Sequence, residues 1–168
     1  MALTSRLRSL TLTVHVTVSV GWLGAVLCSL AIGLTALVSD DIDVVRSCYV
    51  VLEQIGWLVL AMSLASLLTG LVQSLGTAWG LFRHYWVIAK LTLNVFATTV
   101  LVLYMGTLGA LAERADAGRS SGQGIGDLRS GSPVLHAGGA LLLLITATAL
   151  SVYKPRGLTP YGWRRQQR

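Results

Sequence analysis

The sequence predicts an all-α membrane protein, a transmembrane four-helix bundle with both termini on the cytoplasmic side. The first observation is composition: 54% of the 168 residues are hydrophobic and 12% are charged, and mean hydropathy is +0.68. These values lie outside the range of soluble globular proteins. The second observation is that long stretches carry almost no charge, and the third is that acidic and basic residues fall in different connecting segments.

Four stretches are long enough to cross a bilayer, and we place them near 10–38, 50–75, 84–110 and 133–153. A helix needs about 20 apolar residues to span a hydrocarbon core of roughly 30 Å. Only a helix satisfies the backbone polar groups of such a segment in lipid. The first stretch is far longer than the apolar part of a secretory signal, about 7–15 residues. We therefore expect a retained span and a single membrane domain covering residues 1–168.

Two further segments lie outside the predicted spans. Residues 112–132 are rich in Gly, Ser and charge, so we expect a flexible extracytoplasmic loop. Residues 154–168 form a basic tail that mixes aromatic residues with cations. Such a tail can anchor at the membrane interface on anionic lipids, where each cation contributes about 1 kcal/mol, or it can dock a protein.

The distribution of charge sets the predicted orientation. Lys and Arg segments stay in the cytoplasm by the positive-inside rule, which puts both termini there, in a multi-pass protein of a cell membrane. The net charge of +6 then follows from topology, and no nucleic acid is needed to explain it. The cytoplasmic side would hold Arg6, Arg8, Arg83, Lys90, Lys154, Arg156, Arg164, Arg165 and Arg168, and the other side Asp40, Asp41, Asp43, Glu53, Glu113, Asp116 and Asp127 with four arginines.

Small and aromatic residues inside the spans indicate helix packing. Ser66 and Gly70 are one turn apart in the second span, and residues 138–140 form a smooth Gly-Gly-Ala patch in the fourth. Small residues let helices approach closely in lipid, which favours a compact bundle and leaves a homo-oligomer open. Trp22 and Trp57 lie too far inside their spans for a purely interfacial role, so we expect them to pack in the bundle or to line a pocket.

Polar residues within the spans are the candidate functional residues. His15 lies seven residues beyond Arg8, about 10 Å into the first span, and Lys90 reaches a similar depth from Arg83. Arg83, Lys90 and Asn94 share one face of the third span. Lys90 can snorkel to the interface, but Asn94 is too short to do so. An ionisable residue within a span normally marks a functional site, so we expect a ligand or proton site at His15, Lys90 and Asn94.

Two more positions complete the polar pattern. Lys154, at the end of the fourth span, should converge with His15 and Lys90 in the cytoplasmic half. His136 and Glu53 should lie near the outer end, on the fourth and second spans. Their simplest role is a hydrogen-bonded pair that fixes the bundle.

At these residues the chain resembles known families. "LTVHVTVSVGWLGAVL" at 12–27 is similar to the first helix of the HemJ and CopD membrane families. "SLLTGL" at 66–71, "WVIAKLTL" at 86–93 and "SVYKP" at 151–155 resemble later helices of HemJ. A closer likeness is to uncharacterised bacterial four-span proteins that share "GLFRHYW", "HAGG" and "YKPRG". The HemJ resemblance implies oxidation of protoporphyrinogen with haem b in the bundle, and His15, Lys90 and Lys154 as characteristic residues.

The resemblance implies the architecture more strongly than the activity. HemJ carries Tyr-His in its third helix, where this chain has Tyr104 and Met105, and a shared fold does not by itself transfer a function. Whether the protein is an enzyme therefore stays open.

Three functional hypotheses follow, from different classes. In a haem b or porphyrin bundle, His15 would be the axial ligand, Lys90 or Lys154 a second ligand or charge partner, and Arg83 or Arg156 would meet the propionates. In a CopD-like copper-handling or transport protein, His15 and His136 would be metal ligands on opposite sides, although soft Met and Cys ligands are few. In a structural or accessory protein, the polar residues would only specify helix packing.

Charge asymmetry predicts that position 167 is cytoplasmic and position 121 is outside. In a variant without Cys28 and Cys48, a membrane-impermeant thiol reagent added to whole cells should label Ser121→Cys but not Gln167→Cys. Labelling at position 167 in intact cells would contradict the predicted orientation.

Overall fold

The computed structural model describes residues 4–76, 80–121, 128–155 and 157–167, with 119–121 described by backbone alone. This part of the chain is helical, and four of its helices are long and apolar enough to cross a membrane. The prediction of an all-α protein with four helices long and apolar enough to span a membrane is confirmed for these residues. The helices are α1 (Ser5–Val38), α2 (Ile42–Gly76), α3 (Tyr85–Ser121), α4 (Ser132–Tyr153) and the short α5 (Pro160–Gln166).

The four long helices form a closed ring. α1 packs against α2 and α4, and α3 packs against the same two helices. The short linker 39–41 folds α2 back along α1, and the Asp41 carboxylate accepts the backbone N–H of Asp43 at 2.9 Å, which caps α2. One end of the bundle therefore holds the first turns of α1 and α3 with the last turns of α2 and α4. We call this half the basic half, and the opposite one the acidic half.

Apolar packing fills the middle of the ring and the acidic half. Trp22 is 2% exposed and packs in the middle with Val26 and Val59, so its predicted packing role is confirmed. Trp57 is 57% exposed, so the packing role expected for it is wrong. The physical reason is helical phase: Gly56 faces α3, and the next side chain points about 100° away.

The helices are longer than the predicted spans. α2 begins at Ile42 and not near 50, and α3 continues to Ser121, so much of the predicted loop 112–132 is helical, while 122–127 lie outside the described residues. Ala-rich, charged sequence such as "LAERADAG" favours helix in water. With 37 residues, α3 rises about 55 Å, well beyond a core of roughly 30 Å.

Hydrogen bonds between connecting segments close the acidic half. The buried Arg46 donates to the carbonyl oxygen of Gly118 at 2.6 Å, which ties α2 to the end of α3. The backbone N–H of Ser130 donates to the Tyr49 hydroxyl at 3.0 Å, and Arg129 contacts a linker carboxylate at 2.8 Å. Hydrogen bonds and an ion pair therefore hold this half together in addition to its apolar core.

Glycine lets α2 and α3 approach closely at one position. A Cβ on Gly56 would lie 2.9 Å from Leu108 Cδ1 and 3.1 Å from Met105 Sδ. By contrast, a Cβ on Gly138 or Gly139 would meet nothing within 4 Å. The smooth patch predicted in the fourth span is therefore not a tight helix contact within the described chain.

A side chain at position 56 should destabilise the bundle. We expect Gly56→Leu to lower the free energy of unfolding by about 1–3 kcal/mol through overpacking. Gly106→Leu is the matched control, because nothing lies within 4 Å of a Cβ there. Thermal melting of the detergent-purified variants measures the difference, and equal melting temperatures would contradict the close approach.

Candidate functional site

His15 is held against α2 in the basic half. Its Nδ1 lies 2.9 Å from the Thr69 hydroxyl oxygen. A Cβ on Gly70 would lie 3.2 Å from His15 Cε1, so the glycine leaves room for the ring. One turn along α1, the hydroxyls of Ser19 and Ser66 lie 2.9 Å apart. The imidazole is thus the first of two polar contacts that join α1 and α2.

The hydrogen bonds of Thr69 fix which nitrogen of His15 carries the proton. The Thr69 hydroxyl lies 2.7 Å from the carbonyl oxygen of Ala65, a distance that requires the hydroxyl proton between the two oxygens. Because a hydroxyl has one proton, it must accept from His15, so Nδ1–H donates. In the neutral ring, Nε2 then has a free lone pair. This is the arrangement typical of metal-ligating histidines, whose other nitrogen is oriented by a hydrogen bond.

Lys90 brings a positive charge to the same place. It is half-buried on α3 and lies within electrostatic range of the His15 ring. Within the described residues it has no hydrogen bond and no ion pair. The described carboxylates, Asp40, Asp41, Asp43, Glu53, Glu113 and Asp116, belong to the acidic half or its connecting segments, so none of these six neutralises Lys90.

Two amide side chains in the basic half also lack hydrogen bonds of ordinary length. The Nε2 amide of Gln73, one turn beyond Thr69 on α2, is buried without a hydrogen-bond partner. Asn94 Oδ1 accepts only a long bond, 3.5 Å, from the hydroxyl of Thr98. Gln73 Nε2 and the Lys90 ammonium are therefore donors without an acceptor among the described residues, which fits an acceptor-rich ligand.

The remaining cations predicted for the site lie at the end of the bundle. Lys154 is exposed and caps α4 in a left-handed conformation, with φ of 42°. Arg83 lies in the segment before α3, where its carbonyl oxygen accepts the backbone N–H of Thr159. Arg156 lies outside the described residues. The structure thus places Lys90 within electrostatic range of His15 and puts Lys154 and Arg83 nearer the end of the bundle.

His136 belongs to a different site, in the acidic half. Its Nδ1 donates to the Ser132 carbonyl oxygen at 2.9 Å, and its ring stacks on Tyr104 with centroids 3.8 Å apart and planes 11° apart. The Tyr104 hydroxyl is buried near the side chain of Ser132 but makes no hydrogen bond of ordinary geometry. Sequence reasoning did not identify this stacking partner.

The predicted hydrogen bond between His136 and Glu53 is wrong for the described structure. Glu53 Oε1 lies 3.7 Å from the Cβ position of Gly109, so the carboxylate faces the α2–α3 contact. His136 instead meets Tyr104 on another side of α3. Both residues lie in the acidic half as predicted, but helical phase separates them.

A cavity of about 70 Å³ lies between the four helices beside His136 and Tyr104. Its volume is below the roughly 300–1,000 Å³ of ordinary cofactor sites, so it does not fit a tetrapyrrole. Among the described residues, no three His, Cys, Asp or Glu side chains could hold a metal ion together. His15 and His136, both predicted as metal ligands, lie in opposite halves, so neither supports the other.

Comparison with family models, with characterised proteins and with solved structures found no match for this chain.

The bond between His15 and Thr69 should be measurable as a coupling energy. In a double-mutant cycle of His15→Gln and Thr69→Val, we expect about 0.6 kcal/mol, the average for interhelical hydrogen bonds in a membrane. The control pairs His15→Gln with Thr99→Val, because Thr99 is exposed and bonds only its own helix. Unfolding in detergent measures both cycles, and equal coupling energies would rule out a specific bond.

Proposed function

We propose that this protein is a multi-pass membrane protein that binds an anionic tetrapyrrole, haem b or a porphyrin, in the basic half of its bundle. The observation that carries the proposal is the pair of His15 and Lys90. One offers a lone pair on an oriented ring, and the other offers a positive charge that no described carboxylate neutralises. The proposal names a bound group and no reaction.

The side chains have distinct roles in this proposal. His15, oriented through Thr69, would hold the haem iron through Nε2. Lys90 pairs with a propionate carboxylate, an interaction strengthened by low dielectric. Asn94 and Gln73 supply further hydrogen bonds, and Arg83 and Lys154 lie nearer the surface for a second propionate. Haem supplies redox chemistry when bound.

The ligand must reach His15 without using the central cavity. That cavity lies beside His136 and is too small. His15 is only half-buried, so an amphipathic tetrapyrrole can approach its free edge from the lipid, with the apolar macrocycle in the acyl chains and the propionates toward the basic end. This placement matches the polarity of the ligand to that of the bilayer.

The basic end of the bundle faces the cytoplasm in this proposal, and the membrane is a bacterial plasma membrane. The antiparallel ring separates an end rich in Lys and Arg from an end that carries the carboxylates. Such separation supports the orientation given by the positive-inside rule.

A structural or accessory role is the second candidate, and one observation favours it. The His15–Thr69 and Ser19–Ser66 contacts join α1 to α2, and polar contacts of this kind fix helix register in lipid without any ligand. Lys90 distinguishes the two candidates, because a lysine that only snorkels to the interface would tolerate Lys90→Arg, whereas a lysine that pairs with a ligand would not. For copper handling, the described residues offer no cluster of ligands.

Titration with hemin and with metal-free protoporphyrin separates coordination from charge pairing. We expect the purified protein to shift the hemin Soret band and to bind both ligands. His15→Ala should weaken hemin binding at least tenfold, about 1.4 kcal/mol, and weaken protoporphyrin binding much less, since protoporphyrin has no iron. Lys90→Met should weaken both, because both carry propionates.

His136→Ala is the matched control, since it removes an imidazole from the acidic half, away from the proposed site, and should leave hemin affinity unchanged. Lys90→Arg keeps the charge and tests whether the position of an ammonium matters. Equal hemin affinities of the parent and His15→Ala would mean that hemin only partitions into the detergent micelle. In that case, lower melting temperatures for His15→Ala and Thr69→Val would favour the structural role.

A further inference from the structure

The C-terminal segment is folded onto the connection between α2 and α3. The Thr159 hydroxyl donates to the Phe82 carbonyl oxygen at 2.6 Å, and its backbone N–H donates to the Arg83 carbonyl oxygen at 3.0 Å. The backbone N–H of Tyr85 donates to the Gly157 carbonyl oxygen at 3.3 Å. Bonds run in both directions between residues 82–85 and 157–159, and we call this unit, residues 80–85 with 157–167, the clasp.

Two glycines allow the clasp to close. Gly80 has φ of +62°, which an L side chain rarely adopts, and so it turns the chain before α3. Gly162 lies against the Arg83 backbone, where a Cβ would collide with the carbonyl oxygen. Its N–H also donates to the Thr159 hydroxyl at 3.1 Å, which caps α5. The contact is between backbones, so a larger residue at 162 cannot be accommodated by rotating a side chain.

The clasp presents aromatic rings and positive charge together. Arg164 and Arg165 are exposed on α5, and the Arg165 guanidinium lies 5.9 Å from the Tyr161 ring centroid. No acidic residue occurs in 80–90 or 153–168. Four rings of the clasp are each more than half exposed: Phe82, Tyr85, Tyr161 and Trp163.

We propose that the clasp is a folded binding surface for the headgroups of anionic phospholipids in the leaflet at the basic end. The sequence already suggests that the basic tail anchors on anionic lipids, and the hydrogen bonds add that α5 is held at a fixed place beside the start of α3. Exposed aromatic rings favour the headgroup layer, where one edge is apolar and the other is wet. Arginine guanidinium groups form paired hydrogen bonds with phosphate. Arg83 belongs to the clasp and also lies near the proposed tetrapyrrole site, but neither proposal requires the other.

Melting temperatures in nanodiscs of phosphatidylcholine, with and without phosphatidylglycerol, test this surface. We expect the anionic lipid to raise the melting temperature of the parent protein by about 2–4 °C, and high salt to remove the increase. Gly162→Val opens the clasp and should lose the increase. The double variant Arg164→Gln, Arg165→Gln keeps the clasp backbone and should lose it as well.

Gly138→Val is the matched control, because it adds the same side chain to a helix at a position with open space, and it should keep the increase. A parent protein with the same melting temperature in both lipids overturns the proposal. An increase that survives in the arginine double variant also overturns it, even where Gly162→Val fails to fold. A salt-resistant increase would mean that charge does not carry the effect.

Discussion

A bilayer core offers no hydrogen-bond partner, and this constraint shapes the interior of the protein. Each polar group on the four long helices must bond within the protein, remain unsatisfied at a cost, or reach the surface. Most hydroxyls meet the constraint locally, by donating to the carbonyl oxygen one turn earlier in the same helix. This pattern holds for Ser29, Thr35, Ser47, Thr69, Ser74, Thr99, Thr146, Thr148 and Ser151.

A few buried donors do not meet this constraint within the described residues. Trp22 Nε1, Gln73 Nε2 and the Tyr104 hydroxyl are buried without a partner, and Lys90 has no described counter-charge. All four can donate, and none has an acceptor among the described residues. The anionic ligand proposed above would supply acceptors in the basic half, whereas the cavity beside Tyr104 is large enough for water.

His15 and His136 show how much the sequence could predict. Its charge-free stretches were enough to predict four spans, and the depth of His15 was enough to put it with Lys90. The side of a helix on which a residue lies, and its hydrogen-bond partners, were not predictable in this way. One residue of helical phase separates the exposed Trp57 from the buried contact at Gly56, and His136 bonds its own helix instead of Glu53. Charge and hydropathy locate a residue along the membrane normal but not around a helix axis. The folded tail was missed because its hydrogen bonds come from backbone groups, which composition does not reveal.

The clasp and the candidate ligand site share the start of α3. Tyr85, the first residue of that helix, is bonded to the tail through Gly157, and Lys90 follows about one and a half turns later. A helix carries a displacement of its first turn along its length, since its backbone hydrogen bonds resist stretching. The tail is therefore bonded to the helix that carries Lys90, and the position of the His15 ring comes from Thr69 and Gly70 on α2. Segments far apart in sequence thus hold the two residues of the proposed site, and the hydrogen bonds to the start of α3 give the basic tail a fixed position.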